Sequence, residues 1–220
     1  HTSNYIMKGY TKEVPLEDIV SIGKKYKIPV VADLGSGSFI DMSNFDIPSE
    51  IPVSEIVKKG PDITLFSGDK MLGGPQSGII LSTKILINII KSNSIYRTVR
   101  CDKITIAILD DILRSYKKNG FLKSNLALML LTQDRKTLKK MAEEIINSVQ
   151  EHKLRTLGLT IEDSMVEAGS GSLPEKNLKS VTLKFSPKDI SIDIISKLFK
   201  QYKVPIIGYI NRNSFFIDLK

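Results

Sequence analysis

Short apolar runs alternate with amphipathic stretches along the first part of the chain. Pro15, Glu17 and Asp18 mark a helix start, Leu16, Ile19, Val20 and Gly23 fall on one side, and Pro29 ends the helix. "PVVADLGSGS" (29–38) predicts a short, fully apolar strand running into a glycine-rich loop. "VSEIVKKG" (53–60) predicts a second helix closed by Gly60, "DITLF" (62–66) a second buried strand, and "GIILS" (78–82) a third. The opening "HTSNYIMKGY" starts as if leaving a strand. Apolar strands alternating with helices predict a parallel-type sheet covered on both faces. In such sheets sites gather at the carboxyl ends of strands, and Asp33 and Lys70 both fall there.

Beyond residue 90 the period lengthens. Ile104, Ile108 and Ile112 with Leu109, Leu113 and Tyr116 predict one amphipathic helix; Leu138, Met141, Ala142, Ile145, Ile146 and Val149 predict another. Both stripes read as core. "SVTLKF" (180–185), a helix near 189–202, and the strands "PIIGYI" (205–210) and "SFFIDL" (214–219) around Asn211–Arg212–Asn213 predict a small α/β domain. Gly169, Gly171 and "SLP" (172–174) predict a loop.

Composition narrows the classes. The 220 residues are 41% hydrophobic, enough for one large domain or two small ones, with no tryptophan, so aliphatic packing dominates. No apolar run approaches the roughly 20 residues that span a bilayer, and no positive-then-apolar leader is expected. The single cysteine, Cys101, excludes an intrachain disulfide and fits a reducing cytoplasm. His1 and His152 alone cannot assemble a Cys/His zinc site, so no metal is expected. The net charge of +8 is uneven: residues 91–160 carry 14 basic and 7 acidic groups, a surplus of +7. Such a patch suits an anionic partner, a phosphate or a tRNA, and neither a membrane nor DNA is expected. A lysine- and isoleucine-rich genome also accounts for 26 lysines, but it explains the 6 arginines less well.

The chemistry concentrates around "LFSGDKMLGGPQSG" (65–78). A lysine at a strand end can form a Schiff base with an aldehyde cofactor, and an aspartate can keep a pyridinium nitrogen protonated. Lys70 and Asp33 together describe pyridoxal phosphate. Ser67 can donate its hydroxyl to the cofactor phosphate, the Gly73–Gly74 backbone can approach closely, and Asn4 can donate to the ring phenolate. Each piece has a plainer reading: Asp33, Ser67 and Asn4 as turn residues, Lys70 as a solvated loop lysine, Asp69 as its surface partner.

"HTSNY", "VVADLGSGS", "LFSGDKMLGGPQSGIIL" and "RTVRCDKIT" resemble bacterial selenocysteine synthase, the L-seryl-tRNA(Sec) selenium transferases, over essentially the whole chain. The resemblance implies an aspartate-aminotransferase-like fold (pyridoxal-phosphate fold type I). Residues 1–100 would then be the C-terminal part of the cofactor-binding large domain, 101–135 connecting helices, and 136–220 a small C-terminal α/β domain. It implies that Lys70 carries the cofactor as an internal aldimine and that Asp33 pairs with the pyridine nitrogen. It further implies that Asp69 assists Lys70 and that Arg97 and Arg100 handle the anionic selenium donor, selenophosphate. Two arginines three residues apart suit a forked anion clamp. The implied reaction is β-elimination of the seryl hydroxyl of seryl-tRNA(Sec) to an aminoacrylyl intermediate, followed by selenium addition.

The resemblance also implies a homo-oligomer, a dimer or a larger ring, and a family polypeptide about twice this length. The chain is therefore expected to be the C-terminal half, inactive alone. Two other readings stand beside it: a related lyase acting on a small amino acid or amino sugar acid, and a non-catalytic oligomerisation or RNA-contact fragment.

Overall fold

Helix starts along the chain follow local chemistry. The computed structural model describes residues 9–45, 47, 51–118, 120–167 and 177–220. Helix α1 (Leu16–Tyr26) begins at Pro15, carries Glu17 and Asp18 in its first turn and Lys24 and Lys25 in its last, and so complements the helix dipole at both ends. Gly23 lets it lie close to the chain entering β1, because a Cβ there would sit 2.3 Å from Val30 Cγ2. Strand β1 (Val31–Asp33), helix α2 (Val53–Lys58), strand β2 (Ile63–Ser67) and strand β3 (Gly78–Ser82) follow. Then come α3 (Lys84–Ser92), capped by Thr83, α4 (Ser94–Val99), capped by Asn93, and α5 (Lys103–Ser115), capped by Asp102. The short helices α6 (Phe121–Ser124) and α7 (Leu126–Thr132) close this part. Among the described residues no helix is long and apolar enough to cross a membrane.

The chain divides into two units, the first reaching Thr132 and the second holding Gln133–Glu167 and Asn177–Lys220. In the first, the sheet order is β1-β2-β3. Strands β1 and β2 pair in parallel, with Val31 opposite Ile63 and Asp33 opposite Leu65. Strand β3 runs antiparallel to β2, with Leu65 opposite Ile80 and Ser67 opposite Gly78. The expectation of a parallel-type sheet holds for β1 and β2 and is corrected at β3. Residues 68–77 are too few for a crossover, which takes about a dozen or more, so β3 has to turn back beside β2.

Coverage of both sheet faces is corrected too. Ala32, Thr64 and Phe66 are buried on one face, while Val31 and Asp33 on the other are exposed. On the covered face Phe66, Val53 and Leu72 form a cluster with Leu109, Ile112, Leu113 and Tyr116 of the α5 segment. Ile104 and Ile108, expected in that core stripe, are 73% and 47% exposed. The seam of contact on α5 runs through 109, 112, 113 and 116 and leaves the first turns outside it.

The second unit begins with α8 (Arg135–Asn147), capped by Asp134, and α9 (Glu151–Leu157). Strands β4 (Leu159–Glu167) and β5 (Asn177–Phe185), helix α10 (Ile192–Lys200), and strands β6 (Tyr209–Asn211) and β7 (Ser214–Asp218) complete it. The antiparallel sheet has the order β4-β5-β7-β6. Arg212 and Asn213, at φ 43° and 59°, join β6 to β7, as a two-residue hairpin turn of the primed type requires. Leu138 and Ala142 of α8, Ile195 of α10, and Val181, Leu183, Phe185 and Phe215 of the sheet form the core. Met141 and Ile145 of the α8 stripe, and Ile194 and Leu198 of α10, are exposed instead.

Candidate active site

The site begins with strand alternation. Asp33, Leu65, Ser67, Ile80 and Gly78 occupy the less covered face of the first sheet, because paired positions on neighbouring strands point the same way. Asp33 ends β1 and Ser67 ends β2, so a carboxylate and a hydroxyl lie at adjacent carboxyl ends. Asp33 Oδ1 accepts from the Gly35 N–H at 3.1 Å, which turns the chain into the buried loop Gly35–Ser38. Within that loop Ser36 Oγ is fully buried and has no hydrogen-bond partner among the described residues.

A cleft of about 1310 Å³ opens over this face, lined by Asp33, Ser67, Tyr96, Arg97, Arg100 and Lys103 among others. Arg97 lies in the last turn of α4 and Arg100 just beyond it, so the short helix delivers both to one wall. Arg114, Arg135 and Arg155 are tied to Asp110, Asp163 and Glu151. Arg97 and Arg100 have no ion-pair partner among the described residues, which leaves two exposed guanidinium forks in the cleft. Cys101, half-buried, lines the same wall.

The remaining predicted residues lie on the loop that leaves β2. Asp69 is exposed and Lys70 half-buried; neither they nor Gly73 and Gly74 line the cleft. The loop is tightly tied. Gly68 N–H donates to Ser77 O and Gly74 N–H to Gly68 O, both at 2.8 Å, and Gly73 N–H donates to Lys70 O at 2.9 Å. Asn4 and the Gly169–Gly171 loop with "SLP" (172–174) lie outside the described residues.

Two residues outside the set expected from the sequence touch this loop. Tyr116, read as a core residue, and Asn125 both donate to the Leu72 carbonyl at 2.9 Å, two residues past Lys70. No local signal marks them, because they reach the loop from 44 and 53 positions away.

Residues 1–220 match the family model SelA, L-seryl-tRNA selenium transferase. The chain belongs to this family. It is 36% identical over 220 residues to the L-seryl-tRNA(Sec) selenium transferase of Carboxydothermus hydrogenoformans, covering all of this chain and 47% of that protein. It is 38% identical over 221 residues to that of Desulfotalea psychrophila, again covering all of this chain and 47% of the relative. The chain thus spans about half the length of the curated relatives it matches. Among solved structures it is similar to D-glucosaminate-6-phosphate ammonia-lyase, with a TM-score of 0.57 at 16% identity over 97% of this chain and 49% of that one. At that identity the likeness shows a shared mixed α/β fold.

The donor set suits pyridoxal phosphate. Such a cofactor needs an amine, a carboxylate and a hydroxyl: Asp33 and Ser67 offer the last two at adjacent strand ends over the cleft, and half-buried Lys70, three residues past Ser67, offers the amine.

Proposed function

We propose that the protein carrying this chain is a pyridoxal-phosphate-dependent transferase that converts seryl-tRNA(Sec) to selenocysteinyl-tRNA(Sec) with selenophosphate as selenium donor. The observation that carries this reading is the convergence of Asp33, Ser67, Arg97 and Arg100 on one cleft in a chain of the selenium transferase family. On this reading residues 1–100 are the C-terminal part of an aspartate-aminotransferase-like cofactor domain, 101–135 the connection, and 136–220 a small C-terminal domain. The protein works in the cytoplasm as a homo-oligomer, a dimer or a larger ring.

Bound pyridoxal phosphate supplies the electron sink that lets the seryl α-proton leave and the β-hydroxyl be expelled. The chain's own residues do the rest. Lys70 would hold the cofactor covalently through its amine and would take the α-proton at its Nζ. The Asp33 carboxylate would hold the proton on the ring nitrogen. Ser67 Oγ would donate to the phosphate and Asn4 to the ring oxygen, and the backbone of Gly73 and Gly74 would be a further contact. Asp69 orients the Lys70 amine. Arg97 and Arg100 grip the anionic selenium donor in forked, charge-assisted hydrogen bonds, which would bring selenium to the β-carbon.

The decisive test is reduction with borohydride in the presence of pyridoxal phosphate, followed by mass mapping of the intact gene product. The label is expected on the Lys70 peptide and absent from Lys70→Ala. A label that persists in Lys70→Ala overturns the assignment. The 220-residue chain alone is expected to turn over no seryl-tRNA; selenium transfer by that purified chain would show otherwise.

A further inference from the structure

The loop that carries Lys70 is held from below by two side chains with no part in the chemistry above. The Leu72 carbonyl accepts from Tyr116 Oη and from Asn125 Nδ2, both at 2.9 Å. Leu72 is fully buried and Asn125 is 2% exposed, so water does not compete for the Asn125 bond, and the Tyr116 bond is half-buried. The Asn125 amide is oriented at both ends, since its Oδ1 accepts from the Leu128 N–H at 3.2 Å at the start of α7. That donor fixes which end of the amide faces Leu72. Gly73 completes the fit: it sits at φ +71°, and a Cβ on it would lie 2.3 Å from Asn125 Oδ1. Its N–H in turn donates to the Lys70 carbonyl at 2.9 Å. A continuous chain of hydrogen bonds therefore runs from α7 and the end of α5, through the Leu72–Gly73 peptide, to the backbone of Lys70.

We infer that Tyr116 and Asn125 are positioning residues for Lys70: by holding the Leu72 carbonyl they fix the backbone that carries the reactive amine. The inference rests on the reading of Lys70 as the cofactor lysine. Two donors on one carbonyl exceed what satisfying that carbonyl requires, since one suffices to avoid the cost of burial. Burial pushes the Tyr116 hydroxyl well above its ordinary pKa, which keeps it a donor throughout the working range. Its ring is independently placed by Phe39 and Phe121, with centroids at 5.3 and 5.2 Å, so the hydroxyl can be removed while the ring stays.

The test compares the intact gene product with its Tyr116→Phe and Asn125→Asp variants. The first keeps the ring; the second keeps the Oδ acceptor for Leu128 but loses the amide donor. The readouts are the rate at which pyridoxal phosphate becomes borohydride-fixable at Lys70, the pH midpoint of the bound cofactor's visible absorbance, and the unfolding temperature. Each variant is expected to slow capture at Lys70 roughly three- to tenfold, the worth of one net hydrogen bond, and to move the pH midpoint. Should Asn125→Asp fold poorly, Tyr116→Phe decides alone. Unchanged capture and midpoint, with or without a lower unfolding temperature, would reduce both residues to ordinary packing and overturn the inference. If the unsubstituted protein takes no label at Lys70, the proposed function itself fails and the inference with it.

Discussion

Gly73 shows how one position constrains the Lys70 loop. Its φ of +71° is a conformation that L side chains adopt only with strain, and the space beside it is filled by the Asn125 amide. Gly73→Ala is therefore expected to cost about 1–3 kcal/mol, read as a lower urea midpoint at unchanged m-value. Gly78→Ala is the control, because nothing lies within 4 Å of a Cβ there and its φ is ordinary; its cost should stay below about 1 kcal/mol. Equal losses in the two variants would mean that the fit around Gly73 is not what constrains it. Lys70 and the Arg97/Arg100 pair stand out in the sequence, whereas Asp33 and Ser67 have ordinary readings as turn residues until the family resemblance singles them out. A lysine after a buried strand and two of 6 arginines three residues apart are conspicuous without any contact information. Asn125 and Tyr116 are not conspicuous. An asparagine before a helix and a tyrosine on an amphipathic stripe have ordinary local explanations, and only their long-range hydrogen bonds set them apart.

Helix ends carry the next set of consequences. Asp102 Oδ1 accepts from the Thr105 N–H at 2.8 Å at the start of α5, and Asp134 Oδ1 accepts from the Thr137 N–H at 2.7 Å at the start of α8. Those hydrogen bonds, backbone first, hold both carboxyls below their ordinary range. A carboxyl with a lowered folded-state pKa contributes stability above its unfolded value, and this is lost as pH falls through the folded one. Unfolding temperature should therefore drop on acidification below the ordinary aspartate range. Asp102→Asn and Asp134→Asn keep the capping acceptor but cannot titrate, so each should flatten that drop. A pH profile identical to the parent's in both variants would remove the caps from the acid response. Periodicity located these helices because spacing at three and four residues is a local property of an amphipathic element. It did not tell which apolar residues meet a partner: Ile104 and Ile108 share a stripe with Ile112 yet lie outside the packed seam.

For the whole molecule, the uneven charge has a consequence of its own. Residues 91–160 hold +7 of the net +8, and Arg97 and Arg100 face the cleft without acidic partners among the described residues. If the proposed substrate is a charged tRNA, its binding by the intact gene product should weaken steeply between about 50 and 200 mM salt, with a linear log–log slope. A salt-independent affinity, measured by gel shift or fluorescence titration, would assign binding to something other than this basic surplus.

Strand β4 is not marked in the sequence, and of "PIIGYI" (205–210) only Tyr209 and Ile210 fall in β6. The sequence by itself determined β1, β2, β3, β5 and β7, the helices α1, α2, α5, α8 and α10, the glycine-rich turn after β2 and the residue types able to do chemistry there. All of these are written in neighbouring residues and their period. Tertiary structure alone decided that β3 runs back beside β2, that Asp33 and Ser67 share a cleft with Arg97 and Arg100, and that Asn125 and Tyr116 reach under the Lys70 loop. Strand direction depends on how much chain is left for a crossover, and burial on which faces find partners. Contacts spanning 44 and 53 positions leave no trace in local spacing, so those features exist only once the chain has packed.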